Sequence, residues 1–536
     1  MPTRHTASFK QGRGGQRGAA LMVILVLLVV SVAAILVNSL TATSLKNSRK
    51  AQTAAALAQA KEALIAYAVS DANRPGELPC PDFNNDGMIT LSPDYFGSNC
   101  KSLVGWLPWQ ALGLPDLRDG NGDRLWYAVT NPFHANGTAI LNSDTPTTLS
   151  TQMLTVIDGT TAATLAASSV IAIVFSPGTP LSGQTRNASD NNATTALPNY
   201  LEGDNANLNT TFQTANSTTV NDGLLTIGGH DLFPPVERRI AREAKACLDS
   251  YAAMPVLTNS NAAGLKYPWA APVSDASSSS GINGDYNGVY YQFFGRISST
   301  PNIAQDSSTS TLSNALNTLQ AAEAAYNSNS SSANQTVLSN AANTVIGLKN
   351  SVSGVSSTTI DRAGDYGNYF ASGSQSYATA TSYLNSAVSA LAPYLDTTMS
   401  TIWPTTCTLL NNPSSYFWTA WKNMVFYQVA SGFQPGSSAG FGTPLTINGS
   451  GTYRATVLIA RAALNPTQLS GRSNPGTCPL VPNILPYLEG SNLHLTQDGT
   501  CTQTMSTTFQ TYGLADPNYA TVNDLVLCLD GGNQCK

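Results

Sequence analysis

The sequence predicts an α+β fold: a long N-terminal helix, membrane-spanning at its start, then two duplicated lobes that each pack a helix on an antiparallel sheet, the second lobe carrying a helical insert. Three observations lead there. Ala19 to Val37 form an apolar run broken only by Ser31. Helical spacing continues from Thr41 to about Ala72 with no Pro or Gly. Four short motifs then occur twice in the same order, roughly 290 residues apart.

The helix comes first in the chain. Nineteen residues at the helical rise cover about 28 Å, close to the thickness of a bilayer's hydrocarbon core. A globular core helix would show a polar face, and this run shows none. Arg4, Lys10, Arg13 and Arg17 precede it, and no acidic residue appears before Glu62. That asymmetry places the N-terminus in the cytoplasm and the bulk of the chain outside it. Further on, Leu57, Ala60, Leu64, Ile65 and Ala68 recur at helical spacing, an apolar stripe for a domain to pack against. Pro75-Gly76 ends the pattern.

The duplication gives the rest of the architecture. LSGQTRN (181–187), YLEGDN (200–205), TTFQT (210–214) and TVND (219–222) are matched by LSGRSN (469–474), YLEGSN (487–492), TTFQT (507–511) and TVND (521–524). A repeat this long means two lobes of one fold rather than a solenoid. Strands are expected at 124–130, 170–176, 222–227, 422–430, 454–460 and 522–529, rich in Val, Ile, Tyr and Trp. Between about 300 and 400, Ser/Ala/Asn-rich sequence reads as a helical hairpin followed by a third helix near 375–398.

Composition bounds the function. Charged residues are 11% of the 536, against about a quarter in ordinary soluble proteins. Neutral polar side chains replace them, which suits an exported surface. The net charge is −5, which gives no basic footprint, so nucleic acid is not expected as a partner. Eight cysteines also suit an oxidising compartment. They allow more than a hundred connectivities. Short loops favour Cys80–Cys100, Cys478–Cys501 and Cys528–Cys535, which leaves Cys247–Cys407.

The junction before the apolar run carries a resemblance. Gln16-Arg17-Gly18-Ala19-Ala20-Leu21 resembles the leader of type IV prepilins, and the QRGAALxxxLxLLxV pattern is similar to the minor pilins called PilX. The resemblance implies cleavage between Gly18 and Ala19 by prepilin peptidase, with the helix retained in the inner membrane. It implies a minor pilin or type II secretion pseudopilin, partnered by other such subunits, with its head periplasmic or displayed on a filament. The chain divides accordingly into a leader (1–18), a spine helix (19–72), lobe 1 (73–230) and lobe 2 (231–536). Val23 departs from the family, since most pilins carry a glutamate at that place. The alternative reading is a membrane-anchored adhesin that does not polymerise.

Catalytic signatures are sparse. His5, His134, His230 and His494 fall in no metal motif. Gly436 to Gly440 satisfies GxSxG around Ser438, the one route to an exported serine hydrolase, but Phe-Gly-Thr-Pro follows where a nucleophile elbow needs a helix. Glu202 and Glu489, one in each YLEG motif, read as anchors of a turn. No enzyme activity is expected. Calcium is the one ligand with a pattern. Asp82, Asn84, Asp86 and the Met88 carbonyl take positions 1, 3, 5 and 7 of a calcium loop, with Gly87 at position 6. Position 12 is Pro93, with Asp94 beside it. Asp119-Gly-Asn121-Gly-Asp123 is a shorter oxygen cluster. Asx turns use the same residues for their own hydrogen bonds.

Overall fold

A computed structural model describes residues 17–134, 139–216, 219–254, 266–271, 293–298, 301, 307–352, 355–395, 402–412, 415–435, 443–473, 486–493 and 506–530. The first element, α1 (Arg17–Ser70), is one continuous helix of 54 residues, about 80 Å at the standard rise. It begins and ends two residues before the expected 19–72. The Gly76 amide donates back to the Ala68 carbonyl at 2.8 Å, and Gly76 has φ +101°, a conformation open chiefly to glycine. Ala56, Leu57, Ala60, Leu64 and Ala68 are buried, while Thr43 to Lys50 are exposed. The apolar run lies on this helix with its side chains outside the described residues. Among those described, no helix is long and apolar enough to cross a membrane.

Lobe 1 is built from β1 (Tyr95–Phe96) and β2 (Asn99–Cys100), which pair with each other, and from one larger sheet. That sheet contains β3 (Val104–Trp106), β4 (Trp126–Val129), β5 (Leu154–Ile157), β6 (Thr164–Ser176), β7 (Thr211–Gln213) and β8 (Gly223–Gly228), with α2 (Thr145–Thr148) and α3 (Ala193–Tyr200) between strands. The order is β3-β4-β6-β5-β7, and β8 also pairs with β6. All pairs are antiparallel except β5–β7. Alternation sorts the side chains of β4. Leu125, Tyr127 and Val129 join the core that contains α1. Trp126 and Ala128 face the other way, into a core shared with Leu154, Leu197 and Phe212.

Lobe 2 opens with α4 (Gly229–Ala252), which follows β8 without a linker. Asp231 caps it by accepting the Gly228 amide at 2.9 Å. Then come β9 (Phe294–Gly295), four helices α5 (Ser307–Ser328), α6 (Ser332–Gly347), α7 (Ser357–Ala371) and α8 (Tyr377–Leu391), and short α9 (Thr408–Asn411) and α10 (Tyr416–Trp421). The chain ends with β10 (Val425–Val429), β11 (Leu445–Ile447), β12 (Ser450–Tyr453), β13 (Ala455–Ile459), α11 (Pro466–Ser473), β14 (Thr508–Phe509) and β15 (Leu525–Leu529). Its main sheet has the order β15-β13-β10-β9, fully antiparallel, and β11–β14 is a parallel pair. The fold is therefore α+β, and all six expected strands are present. One core, holding buried residues of α1, α4 and both main sheets, runs through the two lobes.

The insert differs from expectation. It has four helices, not a hairpin and one more, around a core of its own. The helix absent from the sequence reading is α7, whose Gly364 and Gly367 look like breakers. They are contact points instead. A Cβ on Gly364 would strike Ile346, and one on Gly367 would lie 3.0 Å from Leu319 Cδ1. Ser331, Ser356 and Ser376 accept amide hydrogens at the starts of α6, α7 and α8, supplying the cap each helix needs.

Candidate functional site

Gly18 and Ala19 sit in the first turn of α1, with side chains outside the described residues. Asp82, Asn84, Asp86 and Met88 fall together on one tight loop. Asp82 is fully buried; its Oδ1 accepts from the amides of Asn84 (3.0 Å) and Asn85 (2.7 Å), and its Oδ2 from Gly87 (2.7 Å). Asp86 accepts the Met88 amide at 2.8 Å and the Asn84 Nδ2 at 2.8 Å. Asp94, also fully buried, closes the loop by accepting from the amides of Phe83 (2.9 Å) and Thr90 (2.7 Å). Burial pushes Asp82 up to about 6. A calcium ion takes six to eight oxygens, usually with a bidentate acid at position 12. Here the acid beside position 12, Asp94, accepts the loop's own amides, and the loop has the hydrogen bonding of an Asx turn.

The second oxygen cluster is a fastening point for α1. Asp119 Oδ1 accepts from the amides of Asn121 (2.8 Å) and Asp123 (3.0 Å), and its Oδ2 accepts from the Ser176 hydroxyl (2.8 Å). From the helix, Thr53 Oγ1 accepts the Gly120 amide at 2.9 Å and Gln52 donates to the Asp119 carbonyl at 3.3 Å.

The best-defined constellation is one that occurs twice. In lobe 1, Asp222 Oδ2 accepts from the Glu202 amide (2.9 Å) and the Asn205 Nδ2 (3.0 Å), and Glu202 Oε2 accepts the Asn221 amide (3.0 Å). In lobe 2, Asp524 Oδ2 accepts from the Glu489 amide (3.0 Å) and the Asn492 Nδ2 (3.0 Å), and Glu489 Oε2 accepts the Asn523 amide (3.3 Å). Asn205 exchanges hydrogen bonds with the main chain of Gln213, and Asn492 does the same with Gln510. Gly203 and Gly490 both have φ +54°, and a Cβ on either would meet the side chain of that same glutamine. Burial, with the adjacent glutamate, pushes Asp222 up to about 8 and Asp524 well above the usual carboxylate range. Each aspartate is thus held toward its protonated form beside a glutamate. Both pairs are buried, and they lock the YLEG turn to the TVND turn.

An arginine reinforces each corner. Arg186 Nε donates to the Asn199 carbonyl and Nη2 to that of Tyr200, at 2.9 and 3.2 Å. Arg472 does likewise with Pro486 and Tyr487, at 2.6 and 3.4 Å. Their remaining partners differ. Arg186 pairs with Asp123 of its own lobe at 2.5 Å, and Arg472 crosses to Asp144 of lobe 1 at 2.7 Å. Beside that crossing, Arg461 and Glu237 form a buried ion pair at 2.7 Å, with Ser143 donating to Glu237.

Two expected disulfides are present. Cys80–Cys100 ties the start of lobe 1 to β2, and Cys247–Cys407 ties α4 to the residue before α9. Cys528 is disulfide-bonded as well. Cys478, Cys501 and Cys535 lie outside the described residues, as do His5, His494 and Ser438 with its GxSxG motif. His230 is exposed on α4. His134 lies within 4.8 Å of the Cys80 and Cys100 sulfurs, which are committed to each other. No family model, curated protein or solved structure matches the chain.

Proposed function

We propose that the chain is a minor pilin or pseudopilin-like subunit, anchored in the inner membrane and active through assembly and binding rather than catalysis. We further propose that its two lobes are duplicated copies of one head unit. The observation that carries the reading is α1. A single 54-residue helix buries its C-terminal part against the sheet of lobe 1 and extends beyond the head, with the apolar run and Gly18 at its far end. That arrangement suits a spine half embedded in a membrane or filament and half in a head. The oxidised cysteines and the charge-poor composition support export.

Mass spectrometry of the mature N-terminus is the test. In cells with prepilin peptidase the chain should begin at Ala19, and Gly18→Leu should leave a full-length precursor in the membrane. Retention of residues 1–18 in wild type would overturn the reading. The missing acid at Val23 favours sparse incorporation, so sheared filaments should contain this chain far below their major subunit. A processed chain never found in filaments would favour an adhesin that does not polymerise.

A further inference from the structure

The turns and strand pairs that recur in the two lobes make each a template for the other, and at one buried position the match fails. Ala128 and Gln428 hold equivalent positions. Each follows a tyrosine whose hydroxyl donates to a proline carbonyl, Tyr127 to Pro79 and Tyr427 to Pro268. Each also pairs across the sheet with the neighbouring edge strand, Ala128 with Val104 and Gln428 with Phe294. Both side chains lie on the sheet face away from Tyr127 and Tyr427.

In lobe 2, Gln428 is fully buried and its Nε2 donates to the Ser506 carbonyl at 2.8 Å, beneath the β11–β14 pair. The TTFQT motifs make Asn209 the counterpart of Ser506. Lobe 1 keeps the β5–β7 pair but has only a methyl group at residue 128. The space remains as an open cavity of about 280 Å³, lined by Ala128, Thr130, Leu154, Asn209 and Phe212 among others, none of them charged. Among the described residues no donor reaches the Asn209 carbonyl. Thr130, almost fully buried, has a hydroxyl without a partner.

We propose that this cavity is a receptor for the side chain of a glutamine on a partner polypeptide. That side chain fills in lobe 1 the space that Gln428 fills in lobe 2, its carboxamide donating to the Asn209 carbonyl. The chemistry follows from the template and the lining. Two methylenes sit against Leu154 and Phe212, and the amide meets a main-chain acceptor that no donor among the described residues reaches. The uncharged walls reject carboxylates and ammonium groups, which would lose their hydration without a counter-charge. A peptide-linked glutamine brings no charge to the mouth, whereas the free amino acid brings two. The proposal rests on the geometry of the two lobes and stands whether or not the chain enters a filament.

Saturation-transfer NMR on the full chain in detergent micelles tests it, with N-acetyl-glutamine methylamide as the probe. Wild type should give a saturable signal, and the matching glutamate derivative and free glutamine should give at least tenfold less. Ala128→Gln rebuilds the plug and should abolish the signal while keeping or raising the melting temperature. If that variant fails to fold, Ala128→Val narrows the same space with a smaller change and should weaken the signal at least threefold. The proposal is overturned by no saturable signal in wild type, by equal signals from a folded Ala128 variant, or by free glutamine competing as well as the capped form.

Discussion

Lobe 1 and lobe 2 share the hydrogen bonds of their YLEG and TVND turns almost atom for atom and differ in what surrounds those turns. The carboxyl pairs, the asparagine that ties the YLEG turn to β7 or β14, and the left-handed glycine recur in both. Around them the equivalents part. Cys80 forms a disulfide, whereas its counterpart Trp269 joins the core of the helical bundle. Arg186 braces the turn that holds α1, whereas Arg472 holds the other lobe. Helix α1 runs far past its sheet, and α4 starts where its sheet begins. The shared set is what one lobe needs to close; the differing set is what joins two lobes, an insert and a long N-terminal helix into one chain.

Disulfide removal should separate the lobes most. Cys247–Cys407 spans 160 residues and Cys80–Cys100 spans 20. Loop-closure entropy assigns about 5 kcal/mol to the first and about 3 kcal/mol to the second. Paired Cys→Ala variants followed by chemical denaturation measure both, and a larger loss from the shorter loop would break the ordering.

The arginines should separate the lobes next. Arg472→Ala leaves Asp144 largely buried without its cation, at a cost of about 3–5 kcal/mol, and it does so at the junction. Calorimetry should then show lobe 2 melting apart from lobe 1, whereas Arg186→Ala should lower a single transition. One unchanged transition in Arg472→Ala would mean that the crossing contact does not couple the lobes.

The carboxyl pairs should behave alike, with the smallest effect. Asp222 keeps a proton up to about 8 in the folded chain, and the unfolded chain releases it near 4. The folded state therefore binds more protons across that window, and stability falls as pH rises through it. Asp222→Asn and Asp524→Asn should each flatten the decline by roughly 1–3 kcal/mol. Melting temperatures read from pH 4 to 9 would show this, and a wild-type profile flat over that range would refute the raised aspartates.

Much of this was legible in the residues. Strands β4, β10 and β13 are rich in Val, Ile, Tyr and Trp, and burial on both faces gives them nearly continuous apolar sequence. Glu202 and Glu489 read as anchors because they recur, but their partners Asp222 and Asp524 could not be joined to them by spacing. That pairing exists only once the sheet has brought the TVND turn beside the YLEG turn. Strands β5 and β11 escaped because three or four residues are too few for a periodicity to stand out. Helix α7 escaped because glycine lowers helix propensity, whereas tight helix packing selects for it. The calcium pattern was real as a loop; what spacing could not show was that Asp94 turns inward and takes the loop's amides itself.

The helical bundle bears on the order in which the molecule comes together. Lobe 1 closes from strands near one another in the chain, and can form while the rest is still being delivered. Lobe 2 must join β9 to β10 across about 130 intervening residues, a search whose entropy grows with the logarithm of its length. The bundle fills most of that interval, and its last turn, Ala392–Leu395, touches its first helix, α5. Made of neighbouring helices, it belongs to the fast, local class of folding events. Once formed, it brings its two ends together and shortens the loop to the residues on either side, about 1 kcal/mol less to close. The insert thus acts as a clasp set before the strands it separates have met.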